Sequence, residues 1–155
     1  MKYLKKFENK EHEKIVEYYD NGNIYYIKYK INGELHREDG PAIQSWFENG
    51  QKREELYFIN GKLYRKNDPA IQTWYENGQI IGKLYYIKGN LHREDGPAYQ
   101  KWDENGQLNF ELYYLNNKDY KREDWLNKLK KIKSPHYEEQ KERYELEKNI
   151  KKYNL

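Results

Sequence analysis

Cysteine is absent from the 155 residues, so disulfides and thiolate metal sites are excluded, as a reducing compartment allows. No apolar run approaches the ~18 residues that a bilayer-spanning helix requires. Met1–Phe7 is basic and lacks an apolar stretch, so it is not expected to act as a signal peptide. Charge of one sign is also lacking. The net value of +3 comes from 29 Lys/Arg against 26 Asp/Glu, too little to name a polyanionic partner. It is uneven: residues 118–155 carry +4 and residues 1–117 carry −1. Aliphatic core formers are scarce, with a mean hydropathy of −1.38. Such a composition would stay unfolded if aromatics were few. They are not: 18 Tyr, 4 Trp and 4 Phe are present. Each ring can remove roughly 150–250 Å² from water. The expectation is a folded but thin molecule whose aromatics replace the usual Leu/Val core.

The dominant pattern is self-similarity. Residues 35–62, 63–90 and 91–118 align without a gap, and residues 14–34 form a partial unit at the same spacing. Trp46, Trp74 and Trp102 fall in phase, with Tyr18 in the corresponding earlier place. Asn-Gly recurs at 21–22, 32–33, 49–50, 60–61, 77–78 and 105–106, with Lys88-Gly89 and Asn116-Asn117 standing in for two more. Asn-Gly meets the φ > 0 demand of a type I′ hairpin turn at least cost, so every one of these sites reads as such a turn. Pro41, Pro69 and Pro97 open strands, where a missing donor is tolerated. The fold class is therefore mainly β: an elongated antiparallel meander of 28-residue β-hairpin repeats, capped by C-terminal α-helices. The organisation is a segment at 1–13, a repeat domain at 14–118 and a helical cap and arm at 119–155.

Turn placement predicts register. A two-residue turn at Asn49-Gly50 pairs Glu48 with Gln51, Trp46 with Arg53 and Ile43 with Leu56; one at Asn60-Gly61 pairs Phe58 with Leu63. Alternation then puts Ile43, Phe47, Leu56, Phe58 and Leu63 on one face, and Ala42, Trp46, Tyr57 and Ile59 on the other. The aliphatic face is the better core candidate. The rings Trp46, Trp74, Trp102, Tyr57, Tyr85 and Tyr113 form the candidate protein-binding face, because Trp and Tyr dominate binding hot spots. The bland alternative is that these rings are themselves the core.

In the tail, Trp125, Leu126, Leu129 and Ile132 recur at helical spacing within Lys121–Lys133 and read as a helix covering the last strand edge. Ser134-Pro135 reads as a helix start. The helix after it carries a weak stripe at Leu146, Ile150 and Tyr153 and is either a solvated arm or a docking element. Residues 1–13 are expected to be a short helix or loop. Lys128, Lys130, Lys131 and Lys133 make a basic patch.

The octapeptide Leu-His-Arg-Glu-Asp-Gly-Pro-Ala stands at 35–42 and 91–98, and degenerates to Leu-Tyr-Arg-Lys-Asn-Asp-Pro-Ala at 63–70. With the following Trp and Asn-Gly it resembles the MORN-like repeat family, in the variant found in bacteria, phages and large DNA viruses. The resemblance implies an elongated sheet with scaffold or partner-binding roles and supplies no catalytic residues. The better-known YxGxW form of the repeat is not matched.

Chemistry is otherwise sparse. His36 and His92 hold one repeat position roughly 20 Å apart by strand spacing, too far to share a metal. Glu38-Asp39 and Glu94-Asp95 recur in a Gly-Pro turn, so loop hydrogen bonds and pairing with Arg37 or Arg93 outweigh acid/base work. No nucleophile elbow, phosphate loop or zinc-protease pattern occurs. No cofactor or metal is expected and the chain reads as a non-enzyme. Its expected function is a protein–protein interaction or scaffold module, including a virus- or phage-encoded modulator or inhibitor of a larger complex, in the cytoplasm (the host's, if viral). The alternative is nucleic-acid binding through aromatic rungs and the basic helix. A membrane surface is disfavoured, because the basic helix is short and lacks a broad apolar face.

Overall fold

The computed structural model describes the backbone of residues 3–9 and 12–153, and side chains from 12 to 152. In chain order the strands are β1 (Tyr3–Asn9), β2 (His12–Tyr18), β3 (Ile24–Ile31), β4 (Glu34–Leu35), β5 (Ile43–Trp46), β6 (Lys52–Leu56), β7 (Phe58–Ile59), β8 (Lys62–Leu63), β9 (Ile71–Trp74), β10 (Ile80–Leu84), β11 (Tyr86–Ile87), β12 (Asn90–Leu91), β13 (Tyr99–Trp102), β14 (Leu108–Leu115) and β15 (Lys118–Tyr120). Two helices follow, α1 (Arg122–Lys131) and α2 (Tyr137–Tyr153). Tyr3–Asn9 is a strand paired with β2 from Tyr3↔Tyr18 to Asn9↔His12, which corrects the helix-or-loop expectation. Its backbone finds a partner in β2 over the whole length of both strands, and that pairing overrides a polar composition.

The long strands form one antiparallel sheet in the order β1-β2-β3-β5-β6-β9-β10-β13-β14-β15, with β4 on β3. The short pairs β7–β8 and β11–β12 leave that sheet and make a second row. Backbone bonds join neighbours within this row. The Arg37 and Gly61 N–H groups donate to Phe58 and Leu35, at 3.0 and 2.9 Å. Arg65 and Gly89 repeat the pattern with Tyr86 and Leu63, and Arg93 and Asn117 with Tyr114 and Leu91. The bend between the rows sits at Tyr57 and Tyr85. Tyr57 N–H still donates to Ala70 in the main sheet at 2.8 Å, while its carbonyl accepts from Tyr64 in the short row at 3.0 Å. Each 28-residue unit is thus two hairpins set at an angle.

The turns divide into two kinds, which corrects the uniform type I′ reading. At Asn32-Gly33, Asn60-Gly61, Lys88-Gly89 and Asn116-Asn117 both residues have φ > 0. At 21–22, 49–50, 77–78 and 105–106 only the glycine does. There Gly50 N–H donates to Phe47 and Phe47 N–H to Gln51, a longer loop ending in a bulge at glycine. Asn49 Oδ1 accepts from Gln51 N–H at 2.9 Å, so asparagine is used here for its side chain and not for left-handed φ. The longer loop shifts register. Ile43 pairs with Leu56 and Phe58 with Leu63 as expected, but Trp46 lies opposite Lys52 and not Arg53.

Neither face of the main sheet is fully covered. Ile43, Leu56, Phe58 and Leu63 are half-buried, so the aliphatic face is not a closed core. Burial concentrates in two places. One is the inside of the bend, where Ala42, Ala70 and Ala98 are wholly inaccessible. The other is the C-terminal end, where Tyr113, Leu115, Trp125, Leu126 and Leu129 form a cluster backed by Tyr120, Tyr137 and Tyr144. Leu126 stands 28 residues after Ala98, so the helix takes over the inner position where the next alanine would fall. α1 caps the short row in this way, but it leaves the β14 edge at Leu108–Leu112 uncovered by a strand among the described residues. α2 is docked on one side: Gln140 is buried and Glu147 pairs with Arg122, while Leu146 and Ile150 remain exposed. The helix begins at Tyr137 and not at Pro135; Ser134 closes the turn before it, its Oγ accepting from His136 N–H at 3.3 Å.

Candidate interaction surface

The octapeptide builds one cradle per unit. Arg37, Arg65 and Arg93 lie over the rings of Tyr29, Tyr57 and Tyr85, with guanidinium carbons 4.2, 4.0 and 3.8 Å from the centroids. Each guanidinium also reaches the carbonyl of the following proline, Pro41, Pro69 or Pro97. Arg37 and Arg93 donate through Nε to Asp39 and Asp95, both at 2.8 Å, the pairing expected from the sequence. Gly40 lets the Arg37 guanidinium come close, since a Cβ there would stand 3.0 Å from its carbon and the side chain would have to give slightly. The middle unit has Asp68 at that place and Asn67 where the other units have aspartate. Its arginine takes the shifted carboxylate, Arg65 Nη2 to Asp68 at 3.3 Å. The degenerate copy is therefore a compensated one.

Arginine hydrogen bonding and charge hold Asp39 below the usual carboxylate range. At Asp95 burial pushes upward, but the Arg93 hydrogen bond and charge outweigh it and the carboxyl is also lowered. Burial raises the Tyr57 and Tyr85 hydroxyls. His36 and His92 have a staple role: each Nδ1 accepts the N–H of the next turn's asparagine, Asn60 or Asn116, at 3.2 Å. Their Nε2 atoms approach Glu38 and Glu94 at 3.6 and 3.5 Å. These contacts are structural chemistry repeated down the molecule. The troughs between cradles, of about 410 Å³ by Arg65, His92 and His136 and about 540 Å³ by Arg37 and Arg65, are open and lined by both signs of charge. Among the described residues no cluster of three metal-binding side chains occurs.

Of the rings singled out as a binding face, Trp46, Trp74 and Trp102 are half-buried at one position of successive units. Lys52 Nζ lies 5.2 Å from the Trp74 ring and Lys83 Nζ 5.6 Å from the Trp102 ring. Hydroxyls brace the strands behind them, Tyr19 donating to the Trp46 carbonyl at 2.9 Å and Tyr75 to that of Trp102 at 3.2 Å. Tyr57 and Tyr85 have one ring face taken by arginine, and Tyr113 is buried against Trp125 at 4.8 Å. The six rings therefore divide into a tryptophan row that reaches solvent and a tyrosine row that holds the bend. In the basic patch Lys130, Lys131 and Lys133 are exposed and Lys128 is half-buried. Three of the four lie in the last turn of α1, where cations complement the negative end of the helix.

Sequence reasoning did not assign the arginine–tyrosine stacks, although both residues recur at the 28-residue period. Nor did it see Arg122, which lies 5.7 Å from the Tyr113 ring and 5.3 Å from that of Tyr144 and pairs with Glu147. That link joins residues 25 apart across a helix turn and leaves no local signal.

An antiparallel ladder of paired hairpins, repeated in register without a catalytic cluster among the described residues, defines a solenoid-type repeat protein. The segments 43–60, 71–88 and 98–116 each match the family model described as the MORN repeat variant. Over those three segments the chain is built of MORN-variant repeats. Repeats of this family mediate protein or membrane interactions and are typically non-catalytic. No curated protein matches the chain, and no solved structure does. Among the described residues no helix is long and apolar enough to cross a membrane.

Proposed function

We propose that this protein is a non-catalytic interaction module that binds a protein partner across the Trp46/Trp74/Trp102 row. The observation that carries the reading is that row itself: three half-buried indoles at one repeat position, two on strands braced by a tyrosine hydroxyl and two edged by lysine. Indoles held this way lose little entropy on binding, and such rings anchor interfaces. The near-neutral repeat region favours a protein surface over a polyphosphate. A cytoplasmic setting, and the narrower role of a virus- or phage-encoded modulator of a larger complex, belong to the same proposal and rest on the family resemblance.

The test is affinity capture from the native host with wild type and Trp74→Ala, read by mass spectrometry at low and moderate salt. One stoichiometric protein partner, lost in the variant and insensitive to salt, is the expected result. Recovery dominated by nucleic acid and released steeply by salt, with dependence on Lys130 and Lys131, overturns it in favour of the basic helix.

A further inference from the structure

The preceding units define what the open edge of the main sheet is shaped to receive. β9 pairs the outer side of β6 with Glu54↔Thr73, Glu55↔Gln72 and Leu56↔Ile71. β13 pairs the outer side of β10 with Gly82↔Lys101, Lys83↔Gln100 and Leu84↔Tyr99. The equivalents on β14 are Phe110, Glu111 and Leu112. β13 holds their inner side. β15 covers the outer side only from Tyr113 to Leu115. The next strand of the series is replaced by α1, so the backbone groups at Phe110–Leu112 have no strand to pair with on that side among the described residues. Beside them stand Leu108, Phe110 and Leu112, which are 48%, 39% and 40% exposed. A bare edge with an apolar ladder is a template for strand addition.

We propose that this edge seats an extended strand of a partner protein, added antiparallel as the next rung in the register that β9 and β13 use. The proposal rests on the protein-binding reading above and names a site and partner chemistry for it. Leu56 and Leu84 face isoleucine and tyrosine, so Leu112 takes a β-branched or aromatic residue. The residue opposite Glu111 is the selective one. The equivalent Glu55 faces Gln72, and its carboxylate is met by Gln44 Nε2 at 3.1 Å and Lys52 Nζ at 2.6 Å. Glu111, half-buried on the edge strand, accepts from the Tyr113 hydroxyl at 2.8 Å and lies within the field of Arg122. Lysine, arginine or glutamine at the partner's central position satisfies it. The same charge disfavours a second copy of this chain. Matching Phe110 with Leu112 of another copy sets Glu111 opposite Glu111, and like charges directly opposite are destabilising. A register one step along would have to pair Asn109, which sits at the bulge between Lys101 and Trp102.

The experiment is an amide NMR titration of the full chain with a synthetic peptide reproducing residues 69–76, the rung that β6 carries. Two further peptides bear lysine or glutamate in place of Gln72. Amides from 109 to 113 should shift, and the lysine peptide should bind about two- to thirtyfold more tightly than the glutamate one, two charge contacts of ~0.2–1 kcal/mol each. In Glu111→Lys, which installs the residue that Lys83 supplies in the preceding unit, that order should reverse. Absence of shifts at 109–113 up to the peptides' solubility limit, or an unchanged order in the variant, overturns the proposal. So does sedimentation showing a dimer that Glu111→Pro dissociates, because the occupant is then a second copy. Trp74-dependent capture of a partner is read separately, so the two readings fail separately.

Discussion

Replacing Trp125 tests the claim that α1 stands in for a missing repeat. The indole is wholly inaccessible, packs on Tyr113 at 4.8 Å and donates through Nε1 to the Arg93 carbonyl at 3.3 Å. Truncating a buried Trp to Ala costs about 3–5 kcal/mol, transfer and cavity terms together. Trp125→Phe keeps most of the ring contact but loses the hydrogen bond, worth about 1 kcal/mol, and a little volume; about 1–2 kcal/mol is expected. Against a total stability of about 5–15 kcal/mol, the alanine variant removes a large share. Urea unfolding at neutral pH, followed by fluorescence and circular dichroism, measures both variants. Neighbour-only contacts make stability local in such arrays. Hydrogen exchange in Trp125→Ala should therefore lose protection first at Tyr113–Leu115 and α1, and last at β5 and β6. A loss below about 1 kcal/mol for alanine, or uniform loss of protection, refutes the capping argument.

Ala70→Leu should destabilise by about 1–3 kcal/mol in the same assay, because the inside of the bend has no room for added methylenes. Gly61→Ala, at φ +69°, should cost about 1 kcal/mol or more in chemical denaturation. Asn49→Ala should lose only one exposed hydrogen bond, roughly 0.5–1 kcal/mol, because Asn49 is not left-handed. Stability should fall on acidification. The Arg122 hydrogen bond outweighs burial and holds Glu147 below the usual carboxylate range, and Asp39 and Asp95 are lowered too. A depressed folded-state pKa contributes stability that is complete above the unfolded value of about 4 and disappears as pH drops through the folded value. Melting temperatures should therefore decline below about pH 4, with a smaller decline in Glu147→Gln.

The repeat was legible because period, turn residues and strand alternation are all short-range. Asn-Gly marks a reversal wherever it occurs, and Ile43↔Leu56 and Phe58↔Leu63 follow from counting. What misled was treating every Asn-Gly alike. Asn60 supplies positive φ and Asn49 supplies a side-chain acceptor, and local sequence does not distinguish these uses. The Trp46 register slipped for that reason. The tyrosines differ for another reason: Tyr85 and Tyr113 look equivalent, yet one lies under an arginine of the following repeat and the other against the Trp125 indole.

By itself the amino-acid order determined a ladder of hairpins of one repeat length, ended by two helices, because hairpin geometry depends on residues within a few positions of each other. The tertiary structure decided the rest. It set the bend at each Tyr57-like position, the arginine covers, the docking of α2 through Arg122 and Glu147, and the bare stretch of β14. Those features depend on which surfaces meet once the units have stacked, and residues 25 or more apart carry no local mark of one another.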